Sequence, residues 1–293
     1  MNSSQFTVHS SQFTVFIRIL LLSIITTLSS FQLPTSDFQL PTSDFQPPTS
    51  NFHLLKSISI EAKDIETDKL GNLYVITKTN QLYKYTPNGE LLGTLNYKYL
   101  GNISSIDASN PLEVYVFYKE QNEVLFLDNT LAYRGEIILT DYGIAQPSAV
   151  ARTFDNGVWI FDQSDLQLKK ISKSGELQQQ SGNIKQIVNG NISPFFISEN
   201  GDRVFVNDST VGIMVFNVFA SYIKTIPVKG STSFKVIDDK IFFNRAGNLF
   251  SYDIKNYSEN SFGLPDSTGI RDISIERERL YLLKQNSVDI YSY

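Results

Sequence analysis

The chain has no cysteine among its 293 residues, only two histidines and two methionines, and one tryptophan. Without thiols there are no disulfides, no thiolate metal sites, no cysteine nucleophile and no lipid anchor attached through cysteine. His9 and His53 are the only imidazoles, so a Ser-His-Asp mechanism, which needs a side chain that exchanges a proton near neutral pH, has little to draw on. Positive charge is also in deficit: 25 Lys and Arg stand against 30 Asp and Glu, a net of −5. Nucleic-acid affinity comes mostly from neutralising phosphates, and no basic run is present to do it. What the chain does have is 41% hydrophobic and 13% aromatic side chains, with 21 Phe and 15 Tyr. That is enough apolar material for a globular core.

One long apolar run occurs, VFIRILLLSIITTL from Val15 to Leu28, followed by Ser29 and Ser30. A bilayer-spanning helix needs about 20 such residues, and this run is shorter and contains Arg18. Residues 1–30 are therefore expected to be a secretory signal peptide, with the protein exported, periplasmic or outer-membrane associated, and no integral anchor after cleavage. Two tandem repeats of seven-residue period follow each other here: SSQFTVH and SSQFTVF from Ser3, then FQLPTSD, FQLPTSD and FQPPTSN from Phe31. Pro34, Pro41, Pro47 and Pro48 interrupt any helix, which removes a coiled coil from consideration. Residues 31–51 read as an extended, disordered linker, and 52–293 as the folded domain.

From Lys56 onward, short runs of Val, Ile, Phe and Tyr alternate with Asn, Asp, Gly and Ser, the texture of strands and tight turns. One unit recurs: an alternating strand with a central aromatic, a short polar turn, then a second alternating strand. The aromatic anchors are Tyr74, Tyr115, Trp159, Phe205, Phe242 and Tyr281, spaced by 41, 44, 46, 37 and 39 residues. A partner strand follows each anchor (QLYKY at Leu82, VLFLD at Val124, LQLKKI at Leu168), and another short strand precedes it (DIETD, SIDAS, AVART, FFISE, FKVID, DISIE). Four antiparallel strands every 40 or so residues is a propeller blade. The sixth unit stops at Tyr293 after its third strand, and an unfilled edge would invite aggregation. The strand-like segment from His53 to Glu61 is available to fill it. The expected fold is all-β: six four-stranded antiparallel blades, the ring closed by an N-terminal strand.

The stretch GNLYVITKTNQLYKYTPNGELLGTL resembles one repeat of the NHL, YWTD and TolB-like propellers, through Asp68, Gly71, Asn72, Tyr74, Asn80, Leu82, Tyr85 and Gly89. The second unit departs from it with Asn110-Pro111 at the Gly-Asn turn. The whole domain also resembles short exported propellers of Gram-negative envelopes, which implies a fold and a compartment but no reaction.

Propellers bind along the axis, so the polar residues of the innermost strands are the candidate ligand-binding set: Asp64, Glu66, Asp107, Arg152, Arg271 and Asp272. As hard oxygen donors the carboxylates suit Ca²⁺. Likeness to lactonase-type propellers would cast Glu66 and Asp272 as its ligands, giving the alternative expectation of a Ca²⁺-dependent hydrolase or lyase. The plainer reading makes them turn-capping carboxylates. No catalytic residue is assigned, and the sialidase box S-x-D-x-G-x-x-W is absent. The expected function is a non-catalytic binding or scaffolding propeller of the cell envelope, holding an envelope protein or a glycan without a cofactor. Tyr97, Tyr99 and Tyr142, in connections between blades, are the aromatics available for contact, while Trp159 belongs to the core. Asn102, Asn191, Asn207 and Asn256 begin N-x-S sequons, and Asp208-Ser209-Thr210 resembles an O-glycosylation site.

Overall fold

In a computed structural model, which describes residues 51–95 and 100–293, the repeating units fold as antiparallel meanders. The first strand, β1 (His53–Ser59), does not pair with those that follow it. Next come β2 (Ala62–Thr67), β3 (Leu73–Thr77), β4 (Leu82–Tyr85) and β5 (Leu91–Leu95), a four-stranded sheet in that order. The second blade contains β6 (Ser105–Asn110), β7 (Glu113–Tyr118), β8 (Glu123–Asp128) and β9 (Tyr133–Ile138). The third contains β10 (Pro147–Arg152), β11 (Val158–Asp162), β12 (Gln167–Ile171) and β13 (Leu177–Gln180). The fourth has β14 (Phe196–Asn200), β15 (Arg203–Asp208), β16 (Gly212–Asn217) and β17 (Tyr222–Ile226). The fifth has β18 (Phe234–Ile237), β19 (Lys240–Arg245), β20 (Asn248–Asp253) and β21 (Ser258–Phe262).

The chain ends in β22 (Asp272–Glu276), β23 (Arg279–Leu283) and β24 (Ser287–Ser292), and the fourth strand of this last sheet is β1. His53 pairs with Ser292 and Ser59 with Ser287, so the ring is closed by the N-terminal strand as expected. The first strands β2, β6, β10, β14, β18 and β22 are neighbours in that order, and β22 lies beside β2. They surround the axis. The hairpins that join first to second strands therefore sit on one rim, together with the start of β1 and the end of β24. The opposite rim carries the turns between second and third strands. Residues 1–50, which include the expected signal peptide and nearly all of the linker, lie outside the described residues, as do Tyr97 and Tyr99. Among the described residues no helix is long and apolar enough to cross a membrane.

Burial explains the composition of each strand. The second strands lie between two partners within the sheet and between two blades across it, so LYVIT and VWIFD are buried at every position. All six aromatic anchors are at most 1% exposed, Trp159 among them. Several also bond to the next blade: Tyr115 Oη donates to the Asn156 carbonyl (3.1 Å), Tyr281 Oη to that of Gly71 (2.5 Å), and Trp159 Nε1 to Glu199. The Tyr281 bond runs from the last blade to the first, a second lock on the closed ring.

The inner hairpin of the first blade is organised by Asp68, which is fully buried. Its Oδ1 accepts the amides of Leu70 (2.9 Å) and Asn72 (3.0 Å), and its Oδ2 accepts Asn72 Nδ2 (2.8 Å) and Tyr74 Oη (3.1 Å). Gly71, at φ +82°, supplies the left-handed residue this turn requires. Asp68→Ala is expected to cost about 2–3 kcal/mol by leaving buried donors unmet, read as a lower urea midpoint at unchanged slope. Asp68→Asn, which retains an acceptor, should recover about half of it. Equal losses in the two variants would show that the bonds are not what matters. Asp208 caps its turn in the same way, accepting Thr210 N (2.8 Å), Thr210 Oγ1 (2.8 Å) and Val211 N (2.9 Å). The Asp-Ser-Thr sequence there has this turn-capping role, and the neighbouring Asn207 of the sequon is buried in β15.

Candidate functional site on the propeller axis

Alternation along a strand puts residues i and i+2 on one side. In β2 this aligns Asp64 with Glu66; in β22 it aligns Asp272, Ser274 and Glu276. Because β2 and β22 are neighbours in the ring, the two rows meet. Burial, together with the like charge of Asp272, pushes the Asp64 carboxyl up to about 7. Burial also pushes Asp272 up, to about 6, although Ser233 Oγ (2.6 Å) and Asn244 Nδ2 (3.3 Å) donate to its Oδ1. Both carboxyls are thus held above the range in which ordinary aspartates ionise.

A cation from the fifth blade occupies the next layer. Lys235, on β18, donates its Nζ to the Thr67 carbonyl (2.6 Å) and Thr67 Oγ1 (2.5 Å), and pairs with Glu276 (3.0 Å) and Glu66 (3.5 Å). Burial works against the Lys235 cation, but Glu66 and Glu276 outweigh it and its pKa lies above the ordinary value. For Glu66 the balance is reversed. Burial, with Asp107 and Asp64 nearby, keeps its carboxyl above the usual range despite Lys235. Thr67 Oγ1 also bonds Ser274 Oγ (2.8 Å), tying the first blade to the sixth.

The remaining predicted residues are engaged elsewhere. Asp107 accepts the Ser109 amide (2.8 Å) and, across the blade boundary, the Arg152 amide (2.8 Å). The Arg152 guanidinium turns away from the axis toward Glu113 (3.4 Å) and Asn156. Arg271 is exposed and donates Nη1 to the Ala62 carbonyl (2.8 Å). The fold thus gathers Asp64, Glu66, Asp107 and Asp272 into one electrostatic neighbourhood and leaves the two arginines with other partners. Sequence reasoning missed Lys235, Glu276 and Glu199, although each lies on an inner strand it had identified (FKVID, DISIE and FFISE). Glu199 accepts the Phe154 amide (3.1 Å) and Trp159 Nε1. Tyr142 is exposed, at the end of a 3₁₀ turn, with its ring over Gly175.

A cavity of about 20 Å³ lies beside this network, between Glu66, Ser233, Lys235 and Ser274. It has room for about one water. Among the described residues no three His, Cys, Asp or Glu side chains converge as a metal site would require.

No protein-family model matches the chain, and neither does any curated protein. Solved structures do match. Virginiamycin B lyase from Staphylococcus aureus superposes with a TM-score of 0.59 over 83% of this chain and 100% of its own, at 12% identity. The likeness is one of fold. A catalytically inactive variant of that lyase, with one histidine replaced by alanine and determined with quinupristin, gives 0.58 at 13% identity over the same shares. The WD40 domain of Neurospora crassa Pan2 gives 0.55 at 10% identity, over 85% of this chain and 97% of its own. An enzyme and a WD40 domain on one architecture illustrate that the propeller alone does not select a function. In this chain the one described histidine, His53, is exposed on β1, the strand of its blade farthest from the axis.

Proposed function

We propose that this chain is a non-catalytic binding or scaffolding propeller of the cell envelope, of the NHL, YWTD and TolB-like type, holding an envelope protein or a glycan on a rim or blade edge. The observation that carries this reading is the self-sufficiency of the axis. Lys235 is consumed by Glu66, Glu276 and Thr67, Asp272 by Ser233 and Asn244, and Asp107 by two backbone amides. Groups bonded to one another in this way join blades; they are not poised for a substrate. The apolar run at Val15–Leu28 supports export. The alternative, a Ca²⁺-dependent hydrolase or lyase, has less behind it. Among the described residues no three carboxylates gather at one point, and the lyase it resembles in fold has a catalytically inactive variant in which a single histidine is replaced, a residue type absent from the described inner strands here.

The test is co-isolation. The full chain, tagged at its C-terminus, expressed in its native host and cross-linked before mild-detergent extraction, is expected to carry one envelope component in fixed ratio, with reciprocal capture when that component is the bait. Repeated recovery of the chain alone would remove the proposal.

A further inference from the structure

Four Asn-Gly pairs occur in the chain: Asn88-Gly89, Asn156-Gly157, Asn189-Gly190 and Asn200-Gly201. The dipeptide is chemically labile, because glycine has no Cβ to keep its amide nitrogen away from the asparagine side chain before it. The fold holds three of the four. Gly89 N donates to the Thr86 carbonyl (2.9 Å), and Asn88 Oδ1 accepts Arg279 Nη2 (3.4 Å). Gly157, which is buried, donates its amide to Thr153 Oγ1 (2.6 Å), while Asn156 Oδ1 accepts Arg152 Nη2. Asn200 ends β14 paired with Arg203, and its Nδ2 donates to the Val236 carbonyl (2.8 Å). Asn189 and Gly190 are exposed, and among the described residues neither the Asn189 side chain nor the Gly190 amide has a hydrogen-bond partner. We propose that Asn189 is where this chain first deamidates, gaining one negative charge in the connection between the third and fourth blades while the ring stays closed.

The reaction needs no partner other than water. The Gly190 amide nitrogen, once hydroxide has taken its proton, attacks Cγ of Asn189; the Cγ–Nδ2 bond breaks, and ammonia leaves with a proton taken from water. A second water opens the five-membered imide at either carbonyl, leaving aspartate or isoaspartate at this position. Closing the imide requires the backbone to turn, and a glycine amide held by a hydrogen bond must first be released. Gly190 lies at φ +125°, and the nearest atom a Cβ there would meet is Val211 Cγ2 at 3.8 Å, so nothing crowds the turn. The flanks, by contrast, are fixed. Val188 N donates to the Ile184 carbonyl (2.8 Å), Ser193 N to Asp208 Oδ2 (2.6 Å), and the Ile192 carbonyl accepts Gln163 Nε2. Val188 and Ile192 also belong to the core shared by the third and fourth blades. Movement is confined to the few residues between these anchors, and the new carboxylate meets solvent and not the core.

Incubating the full chain at pH 8, folded and unfolded in urea, and following each Asn-Gly pair by peptide mass spectrometry measures this. The rate at each pair in the folded chain is divided by the rate at the same pair in urea, which removes the effect of neighbouring sequence. That ratio is expected to be about tenfold higher at Asn189 than at Asn88, Asn156 or Asn200, the factor that one retained hydrogen bond can impose on local opening. Asn189→Gln should abolish the fast event and leave the other three ratios unchanged. The converted protein, separated by its extra charge on an anion exchanger, should unfold at the urea midpoint of the parent with the same slope. A higher ratio at any other pair, or equal ratios at all four, overturns the assignment. A converted protein with a lowered midpoint or slope overturns the closed ring.

Discussion

Lys235→Met is expected to lower the stability of the ring by about 3–5 kcal/mol at pH 8, because it leaves Glu66 and Glu276 enclosed without their cation. Both carboxylates and the lysine are mostly buried, and the lysine also carries the bonds to Thr67 that hold the fifth blade against the first. The loss should depend on pH. Glu66 already sits above the usual carboxylate range with Lys235 present, and removing the cation raises it further. Its folded pKa then exceeds its unfolded one, so the folded variant binds more protons and gains stability relative to the parent as pH falls toward 5. Urea unfolding of parent and variant at pH 8 and pH 5 measures this. Lys235→Met/Glu66→Gln should recover part of the loss at pH 8. A deficit equal at both pH values would assign it to packing, not charge.

Asp64→Asn is expected to act in the opposite direction and stabilise the protein at pH 8. The Asp64 carboxyl is raised from 3.8 to about 7 by burial and by Asp272. The folded chain therefore keeps a proton that the unfolded chain loses near pH 4. The stability this proton gives is complete below about pH 4 and is lost as pH rises toward 7. A rise from 3.8 to about 7 corresponds at most to about 4 kcal/mol. Water on the half-buried carboxyl reduces the expected gain to about 1–2 kcal/mol at pH 8, or about 2–8 °C in Tm for a domain of this size. At pH 4 the variant should match the parent. Exposed aspartates such as Asp266, held down to about 2 by Lys284, act only below that window and do not mask it. A variant less stable than the parent at pH 8 would mean that ionised Asp64 is wanted, as a cation site would want it.

Both predictions rest on contacts that differ greatly in how visible they are in the sequence. The blades are legible because each is local. Alternation and turn residues mark the strands, and the count of strands in the sixth unit leaves one edge for which the strand-like His53–Ser59 is a candidate, and it does fill that edge. The location of the carboxylates was legible too, since Asp64, Glu66, Asp107 and Asp272 sit on strands recognised as innermost. Their partners were not. Lys235 and Glu66 are 169 residues apart and meet only because β18, β22 and β2 follow one another around the ring. A lysine in FKVID carries no local sign of that.

The central claim is that the axis holds the ring together and the partner is held elsewhere. Co-isolation with Asp64→Asn/Asp272→Asn, which removes the paired carboxyls while keeping the ring, measures it most directly. The account predicts that this variant captures the same envelope component in the same ratio as the parent. Loss of that component from a folded variant, judged by an intact cooperative unfolding transition, would place binding at the axis and contradict it.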